Sequence, residues 1–447
     1  MLVIKTQNRF IKTKIPAPGT YKIIKSLQKS ESRSMQGQLP IIWSKAEGHS
    51  LVDIGGNKFI DFTSTIFVAN IGHSNNNLIK NLKKALDKKL LHSYAYFNSS
   101  REKYLKNLVK FAGKNFEKAF LMSAGTEATE AALKLMRLYG QKVKKRKLGI
   151  ICIDGNWHGR TMGAQMMSGN KEQKEWIGYE DKNIHHIKFP YPWELKKSTP
   201  KEFLNKCLEK LKKKIDLKKD ICGFMLETFQ GWGAIFYPKE FVKEISKLCK
   251  QNKILLTFDE MQAGFGRTGE LFGYMHYGVT PDLIACGKGS SSSLPLSLVL
   301  GSKKIMDLPG TDSMSSTHSA NPMVCAAGLA NMQAILEDGL IDNSKILGEY
   351  FHLKLNEIKN KHYNYISHIN GKGLLAAVIF SKDSIPLSNL CDLISEKCMQ
   401  KGLIVVHTGR ESIKLAPSLT ITKEALIEGI QVFEECIKES IFELYPY

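Results

Sequence analysis

Between residues 118 and 286 the chain alternates short apolar runs with longer amphipathic stretches, and this rhythm constrains the fold more than any other feature. Residues 118–122, 148–153, 221–226, 254–258 and 283–286 read as strands, most of them too apolar to face water on either side. Residues 127–139 read as a helix, with Ala128, Ala131, Ala132, Leu135 and Met136 on one face and Gly140 as its stop. Residues 239–251 read as another. Strand, helix, strand at this spacing means βαβ units around a parallel sheet covered on both faces. The flanks read differently. A hairpin pattern surrounds Gly55-Gly56-Asn57, a helix runs from 326 to about 338, mixed strands fall near 373–380 and 403–406, and a last helix covers 423–440. The expected architecture is α/β, with a large domain of mostly parallel sheet over residues 63–325. A smaller α+β domain is built from residues 1–62 and 326–447.

Composition removes several classes. Of the 447 residues, 43% are hydrophobic and 24% charged, an ordinary globular balance that excludes a disordered chain, a collagen or a membrane bundle. No apolar stretch approaches the ~18 residues of a membrane span. The first 19 residues are interrupted by Lys5, Arg9, Lys12 and Lys14 and lack the apolar core of a secretory signal. The net charge of +21 raises nucleic acid or an anionic membrane as partners. Only eight of the 64 basic residues are arginine, however, and base reading favours the planar arginine fork. The lysines are spread along the chain and read as solvated surface, including the runs 142–147 and 210–219. Nine scattered cysteines without a C-x-x-C pair read as reduced thiols of a cytoplasmic protein, with neither disulfides nor a metal site.

In open parallel sheets, ligands bind beyond the carboxyl ends of the strands. The residues just after each expected strand therefore carry the functional information. After 118–122 comes Ser123-Ala124-Gly125-Thr126-Glu127, small residues opening a helix, which serve either as an ordinary N-cap or as a cradle for an anion. After 148–153 comes the aromatic Trp157. After 254–258 come Asp259 and Glu260. A carboxylate ending a buried strand needs a cation: a magnesium ion, a Lys or Arg, or a protonated heterocycle. Magnesium would call for a P-loop. The nearest candidate, around Gly287-Lys288-Gly289, has Asp282 where the first glycine belongs and Gly289 where Ser or Thr belongs, so that reading fails. Gly264-Phe265-Gly266-Arg267-Thr268-Gly269 has G-x-G-x-x-G spacing, but it leads into an aromatic loop and no small-residue helix, which excludes a dinucleotide fingerprint. Lys288 follows the last apolar run between two glycines. A lysine desolvated there loses its proton readily and serves as an imine-forming nucleophile.

Cradle, carboxylate, lysine and aromatic fall at one edge of one sheet. Together they are complementary to pyridoxal 5'-phosphate, which offers a phosphate, a pyridine nitrogen that pairs with a carboxylate, an aldehyde that reacts with lysine, and a ring to stack on.

The motifs also occur in a recognisable order. Residues 56–62 (ending Asp61-Phe62) precede Ala69-Asn70-Ile71-Gly72-His73, then come residues 123–132, and then Asn156-Trp157-His158-Gly159-Arg160-Thr161. Asp259-Glu260-Met261-Gln262 runs into the glycine loop 264–269, Lys288 stands 29 residues after Asp259, and Ser316-Thr317 precedes Ala320-Asn321-Pro322. This ordered set, from about residue 41 to the C-terminus, resembles the class III (ω-amino acid type) aminotransferases, such as the 4-aminobutyrate and acetylornithine enzymes, which are fold type I pyridoxal-phosphate enzymes. The resemblance implies that Gly125 and Thr126 bind the phosphate, that Trp157 stacks on the ring where Tyr or Phe is usual, and that Met261 covers its other face. It places His158 and Glu227 in the cofactor site, Asp259 at the pyridine nitrogen, Gln262 at the ring hydroxyl and Lys288 at the catalytic amine. Thr317 would reach the phosphate of a neighbouring subunit, which implies a homodimer with shared sites. Arg160 matches a position that holds a substrate carboxylate.

Two positions depart from the family pattern. The segment Glu227-Thr228-Phe229-Gln230-Gly231-Trp232-Gly233 has Trp232 where a second glutamate is usual, and Ile413-Lys414-Leu415-Ala416-Pro417 has Lys414 where arginine is usual. Lys414 offers a carboxylate a point charge and no fork. The resemblance implies a transaminase working on a small-molecule amino donor and an oxo acceptor, with a terminal amine and glutamate/2-oxoglutarate as the expected pair. An aminotransferase for a sugar or other bulky ketone, and a decarboxylase, racemase or aminomutase on the same scaffold, remain alternatives. Nucleic acid and membrane are not expected partners.

Overall fold

The apolar runs form one sheet. In the computed structural model, which describes residues 3–195 and 198–446, seven strands pair in it: β1 (Lys118–Met122), β2 (Gly149–Ile153), β3 (Ile184–Ile187), β4 (Ile221–Glu227), β5 (Leu255–Asp259), β6 (Leu283–Cys286) and β7 (Ser297–Gly301). Their order is β1-β7-β6-β5-β4-β2-β3. The run from β6 to β3 is parallel, and β7 is antiparallel to both β6 and β1. Every residue of β2, β4, β5, β6 and β7 is buried, as strands covered on both faces must be. β3 and β7 escape the sequence reading. β3 is an edge strand with two histidines among four residues, and β7 is a short antiparallel return that breaks the βαβ rhythm.

Four helices matter for the site: α1 (Ser99–Ala112), α2 (Gly125–Val143), α3 (Lys239–Asn252) and α4 (Pro322–Glu337). α2 runs on through Gly140, contrary to the expected stop. A Cβ there would lie 1.9 Å from the Lys147 carbonyl oxygen and 2.4 Å from Cys222 Cβ. The glycine thus serves the close approach of α2 to the sheet. Lys147 corrects the reading of the run 142–147 as solvated. It is wholly buried, and its Nζ donates to the carbonyls of Lys218 (3.1 Å) and Asn252 (2.7 Å), closing two helix ends.

The chain divides into two units, Asn77–Ile341 and Met1–Asn76 with Asp342–Tyr447. Both divisions lie later than the expected 62/63 and 325/326. Residues 63–76 belong with the C-terminal segment because Ala416 N donates to Phe62 O, Ser64 Oγ to Ala416 O and Leu419 N to Asn70 O. α4 belongs with the large unit because it crosses α1 closely, a Cβ on Gly328 lying 2.6 Å from the Tyr104 ring. The smaller unit holds two sheets. In one, the N-terminal hairpins pair with Lys58–Asp61, which also takes Leu403–Ile404 in parallel. The other pairs Ile366–Lys372, Leu375–Lys382, Ser412–Leu415 and Val406–His407. All nine cysteines are free, eight buried and Cys207 half-buried. Among the described residues no helix is long and apolar enough to cross a membrane.

Candidate active site

β4, β5 and β6 run parallel in a register that pairs Asp259 with Glu227 on one side and Ala285 on the other. Two carboxylates therefore end neighbouring strands, and Lys288 stands two residues past the end of the third. Asp259 is buried. Its Oδ2 accepts a hydrogen bond from His158 Nδ1 at 2.9 Å, and its Oδ1 accepts one from the Met261 N–H at 3.0 Å. Because an ionised carboxylate only accepts, the proton of that pair sits on Nδ1. The other ring nitrogen of His158 is buried with no hydrogen-bond partner. The imidazole is held from behind, its N–H donating to Ser168 Oγ (2.8 Å) and its carbonyl accepting from Thr129 Oγ1 (2.7 Å).

Lys288 opens a short helical turn, Lys288–Ser290. Among the described residues its Nζ has no hydrogen-bond or ion-pair partner. Burial pushes its pKa down, and the charges of Asp259 and Glu227 push the other way. The loop behind it is pinned by Asn331 of α4, whose Nδ2 donates to the carbonyls of Gly289 (2.9 Å) and Ser290 (3.1 Å).

The start of α2 is arranged to leave donors open. Glu127 Oε2 takes the N–H groups of Ser123 (2.9 Å) and Ala124 (2.7 Å). The N–H groups of Gly125 and Thr126 remain without a partner among the described residues, at the positive end of a 19-residue helix. Thr126 Oγ1 meets Thr161 Oγ1 at 2.6 Å. Gly159, at φ 140°, passes so near that a Cβ there would lie 2.3 Å from Thr126 Oγ1, which is why glycine stands between His158 and Arg160. Met261 fills the space between two glycine loops: a Cβ at Gly125 would lie 2.8 Å, and one at Gly287 2.5 Å, from its Sδ.

The remaining predicted residues of this unit lie around the same strand ends. Trp157 N–H donates to Glu227 Oε2 at 2.9 Å, as does Gly231 N–H at 3.2 Å. Gln262 converges there too, since a Cβ on Gly231 would lie 2.7 Å from Gln262 Nε2 and 2.8 Å from Glu227 Oε1. Arg160 is exposed, its guanidinium carbon 4.8 Å from the centroid of the Trp157 ring. Trp232 Nε1 donates to Gln230 Oε1 (2.7 Å), which also accepts from Tyr191 OH (2.6 Å), so the indole is fixed in place. Thr317 is exposed, and its carbonyl accepts from His92 Nε2 at 2.9 Å. Lys414 belongs to the other unit, buried on the strand Ser412–Leu415, with Nζ 4.5 Å from the centroid of Phe67.

Pyridoxal 5'-phosphate fits these residues. An uncommitted amine, two open N–H groups at a helix start and a buried carboxylate steadied by an imidazole are the three complements it requires. Thr129, Ser168 and Asn331 support the site and were missed in the sequence. Small hydroxyls carry no signal of their own, and only the placing of Asn331 inside an apolar helix hinted at a buried task.

A family model described as aminotransferase class-III matches residues 32–437. The chain is 34% identical over 393 residues to an ornithine aminotransferase of Brevibacillus brevis, covering 87% of this chain and 91% of that one. It is 30% identical over 408 residues to an acetylornithine aminotransferase of Caldanaerobacter subterraneus subsp. tengcongensis, covering 90% and 96%. Among solved structures it is similar to a transaminase from the marine bacterium Virgibacillus, with a TM-score of 0.87, 25% identity, and coverage of 95% of this chain and 100% of that one.

Proposed function

The chain belongs to the class III aminotransferase family and is a pyridoxal-phosphate-dependent transaminase of fold type I, and on that premise we propose that it takes nitrogen from a terminal amine, with glutamate and 2-oxoglutarate as the second pair. The names of the relatives, ornithine and acetylornithine aminotransferase, support the terminal amine. The observation that carries the site assignment is Lys288: a half-buried lysine, its amine without a hydrogen-bond or ion-pair partner among the described residues, just past the strand ends that carry two carboxylates.

When bound, the cofactor withdraws electrons from the carbon that bears the amino group, so that its proton becomes removable. The geometry supports the following part for the protein. Gly125 and Thr126 donate their N–H groups to the phosphate, and Thr161 orients the Thr126 hydroxyl. Asp259 holds a proton on the pyridine nitrogen, and His158 keeps that carboxylate aligned. Burial favours the neutral form of Lys288 Nζ, so it would take a proton from the substrate carbon that bears the nitrogen and deliver it to the cofactor carbon on the nitrogen's other side, as general base and then acid. Glu227 fixes Trp157 and Gly231 by their N–H groups, and Gln262 beside it reaches the ring hydroxyl. Arg160 and Lys414 receive carboxylates of the substrates. A second copy of the chain completes each site, Thr317 reaching the neighbour's phosphate.

Lys288→Ala tests the assignment. The visible absorbance of the bound cofactor is expected to change and turnover to fall by about a hundredfold or more, the usual worth of a general acid/base. Unchanged spectrum and turnover would remove Lys288 from the site. Incubation with ornithine, N-acetylornithine or 4-aminobutyrate plus 2-oxoglutarate is expected to yield glutamate with at least one donor. Glutamate from none would end the substrate proposal.

A further inference from the structure

One oxygen of Glu130, in the second turn of α2, takes three donors from the stretch that follows Arg160. Its Oε1 accepts from Thr161 Oγ1 (2.7 Å), Gly163 N–H (2.8 Å) and Ala164 N–H (3.1 Å). Those two N–H groups belong to the first turn of the short helix Met162–Met167, whose own N-cap residue, Thr161, gives it no side-chain bond. Gly163 leaves room for the carboxylate, because a Cβ there would lie 2.4 Å from Glu130 Oε2. Counting protons extends the connection. Thr161 has one hydroxyl proton and spends it on Glu130, so the 2.6 Å contact between Thr126 Oγ1 and Thr161 Oγ1 uses the proton of Thr126. Thr126 Oγ1 in turn accepts from Thr161 N–H at 3.3 Å. Thr161 is thus tied to α2 at two places, the phosphate cradle and Glu130.

Arg160 sits between two anchors. On one side His158 is held by Thr129 and Ser168. Gly159 intervenes at φ 140°, and a glycine transmits little of that anchor's direction because its backbone is the most permissive. On the other side Thr161 follows directly. The Arg160 guanidinium itself makes no hydrogen bond or ion pair among the described residues and lies over the Trp157 ring. Its aim therefore depends on its backbone and on that ring. We propose that Glu130 is a positioning residue for Arg160: by fixing Thr161 and the helix start behind it, Glu130 sets where Arg160 meets a substrate carboxylate. This rests on the reading that Arg160 receives such a carboxylate. The chemistry supports it. A planar guanidinium fork matches a carboxylate at two points, so its worth depends on being held at the right angle. A carboxylate at 130 suits the task, because its oxygens only accept and all three donors of the 161–164 stretch converge on one of them.

The test uses the cofactor-loaded enzyme and glutarate, a dicarboxylate with neither amine nor oxo group, whose binding is measured by calorimetry. Glu130→Ala is expected to weaken glutarate about tenfold, the scale of one hydrogen bond to a charged group. Glu130→Gln keeps a carbonyl oxygen for the same donors and is expected to stay within about threefold of wild type. Arg160→Met weakens glutarate as well. Adding Glu130→Ala to Arg160→Met is expected to cause no further loss, because both act through one contact. A merely structural role for Glu130 would instead weaken both backgrounds alike. If Glu130→Ala does not fold, Thr161→Val, which deletes the hydroxyl and keeps the shape, takes its place in the same cycle. Wild-type affinity in Glu130→Ala, or equal losses in the two backgrounds, overturns the positioning role and leaves the reading of Arg160 standing. Wild-type affinity in Arg160→Met removes that reading, and the proposal with it.

Discussion

Asp259 and Glu260 are adjacent and both buried, yet they face different partners. Asp259 is held by an imidazole and lies within electrostatic reach of Lys288. Among the described residues Glu260 accepts only from neutral donors: Thr228 Oγ1 at 2.6 Å, Tyr274 N–H at 2.7 Å and Gly273 N–H at 2.8 Å. Burial pushes its pKa up to about 7 in spite of those bonds, and the charge of Asp259 adds to the rise. A carboxyl whose folded pKa lies above the unfolded value of 4.5 stabilises the fold fully below pH 4.5, and that contribution is lost as pH rises through 7. The span is on the order of 3 kcal/mol. Glu260→Gln keeps one acceptor and loses the other, so it is expected to be less stable than wild type at pH 5 by about 1–3 kcal/mol. That deficit should shrink or reverse by pH 8, because only the wild type has a buried proton to lose. Thermal melts of both proteins across this range decide it; parallel curves would mean that Glu260 does not titrate there.

At the scale of elements, the same glycine reads one way in the sequence and another in the fold. Gly140 has the look of a helix stop, yet α2 continues through it to Val143. Helix propensity alone would have Gly140→Ala stabilise the protein by about 1 kcal/mol. The close approach decides otherwise, because the added methyl would meet the Lys147 carbonyl oxygen at 1.9 Å, and backbone cannot move aside as a flexible side chain does. Overpacking of this kind costs about 1–3 kcal/mol or more. Gly140→Ala is therefore expected to lower the midpoint of thermal unfolding, and a raised midpoint would show that α2 can shift away from the sheet. The contrast marks what was legible. Apolar runs announced β1, β2, β4, β5 and β6, and the residues at or just past their ends pointed to Gly125, Asp259 and Lys288, because local pattern and sheet topology agree there. β3, β7, the length of α2, the burial of Lys147 and the left-handed turn at Ser64–Phe67 were not legible. Each depends on a partner far away in sequence, such as the carbonyls of Lys218 and Asn252 for Lys147 or Ala416 for the turn.

For the whole molecule, the charge of +21 invites a polyanion as partner, but the surface offers a feature with a more specific consequence. Within residues 86–97, Leu86, Leu90, Leu91, Tyr94, Tyr96 and Phe97 are all exposed, Tyr96 to 78% and Phe97 to 99%. Contiguous exposed apolar groups of this size mark an interaction surface. In the same stretch His92 is hydrogen-bonded to Thr317, the residue that in the proposed dimer reaches the neighbour's phosphate. A dimer formed through this segment would bury the aromatic side chains and present Thr317 in one step. The doubly substituted Tyr96→Lys, Phe97→Glu protein puts charges where the ring faces must be desolvated. By sedimentation velocity the wild type is expected at twice 50.3 kDa and the variant at 50.3 kDa. Cofactor titration supplies the second half of the argument. If the neighbour's Thr317 completes each phosphate site, the dissociated variant holds pyridoxal phosphate more weakly than the wild type, and Thr317→Ala weakens it too while remaining a dimer. A monomeric variant with wild-type cofactor affinity would keep the interface and end the shared site, and a variant that stays dimeric would place the interface on another face.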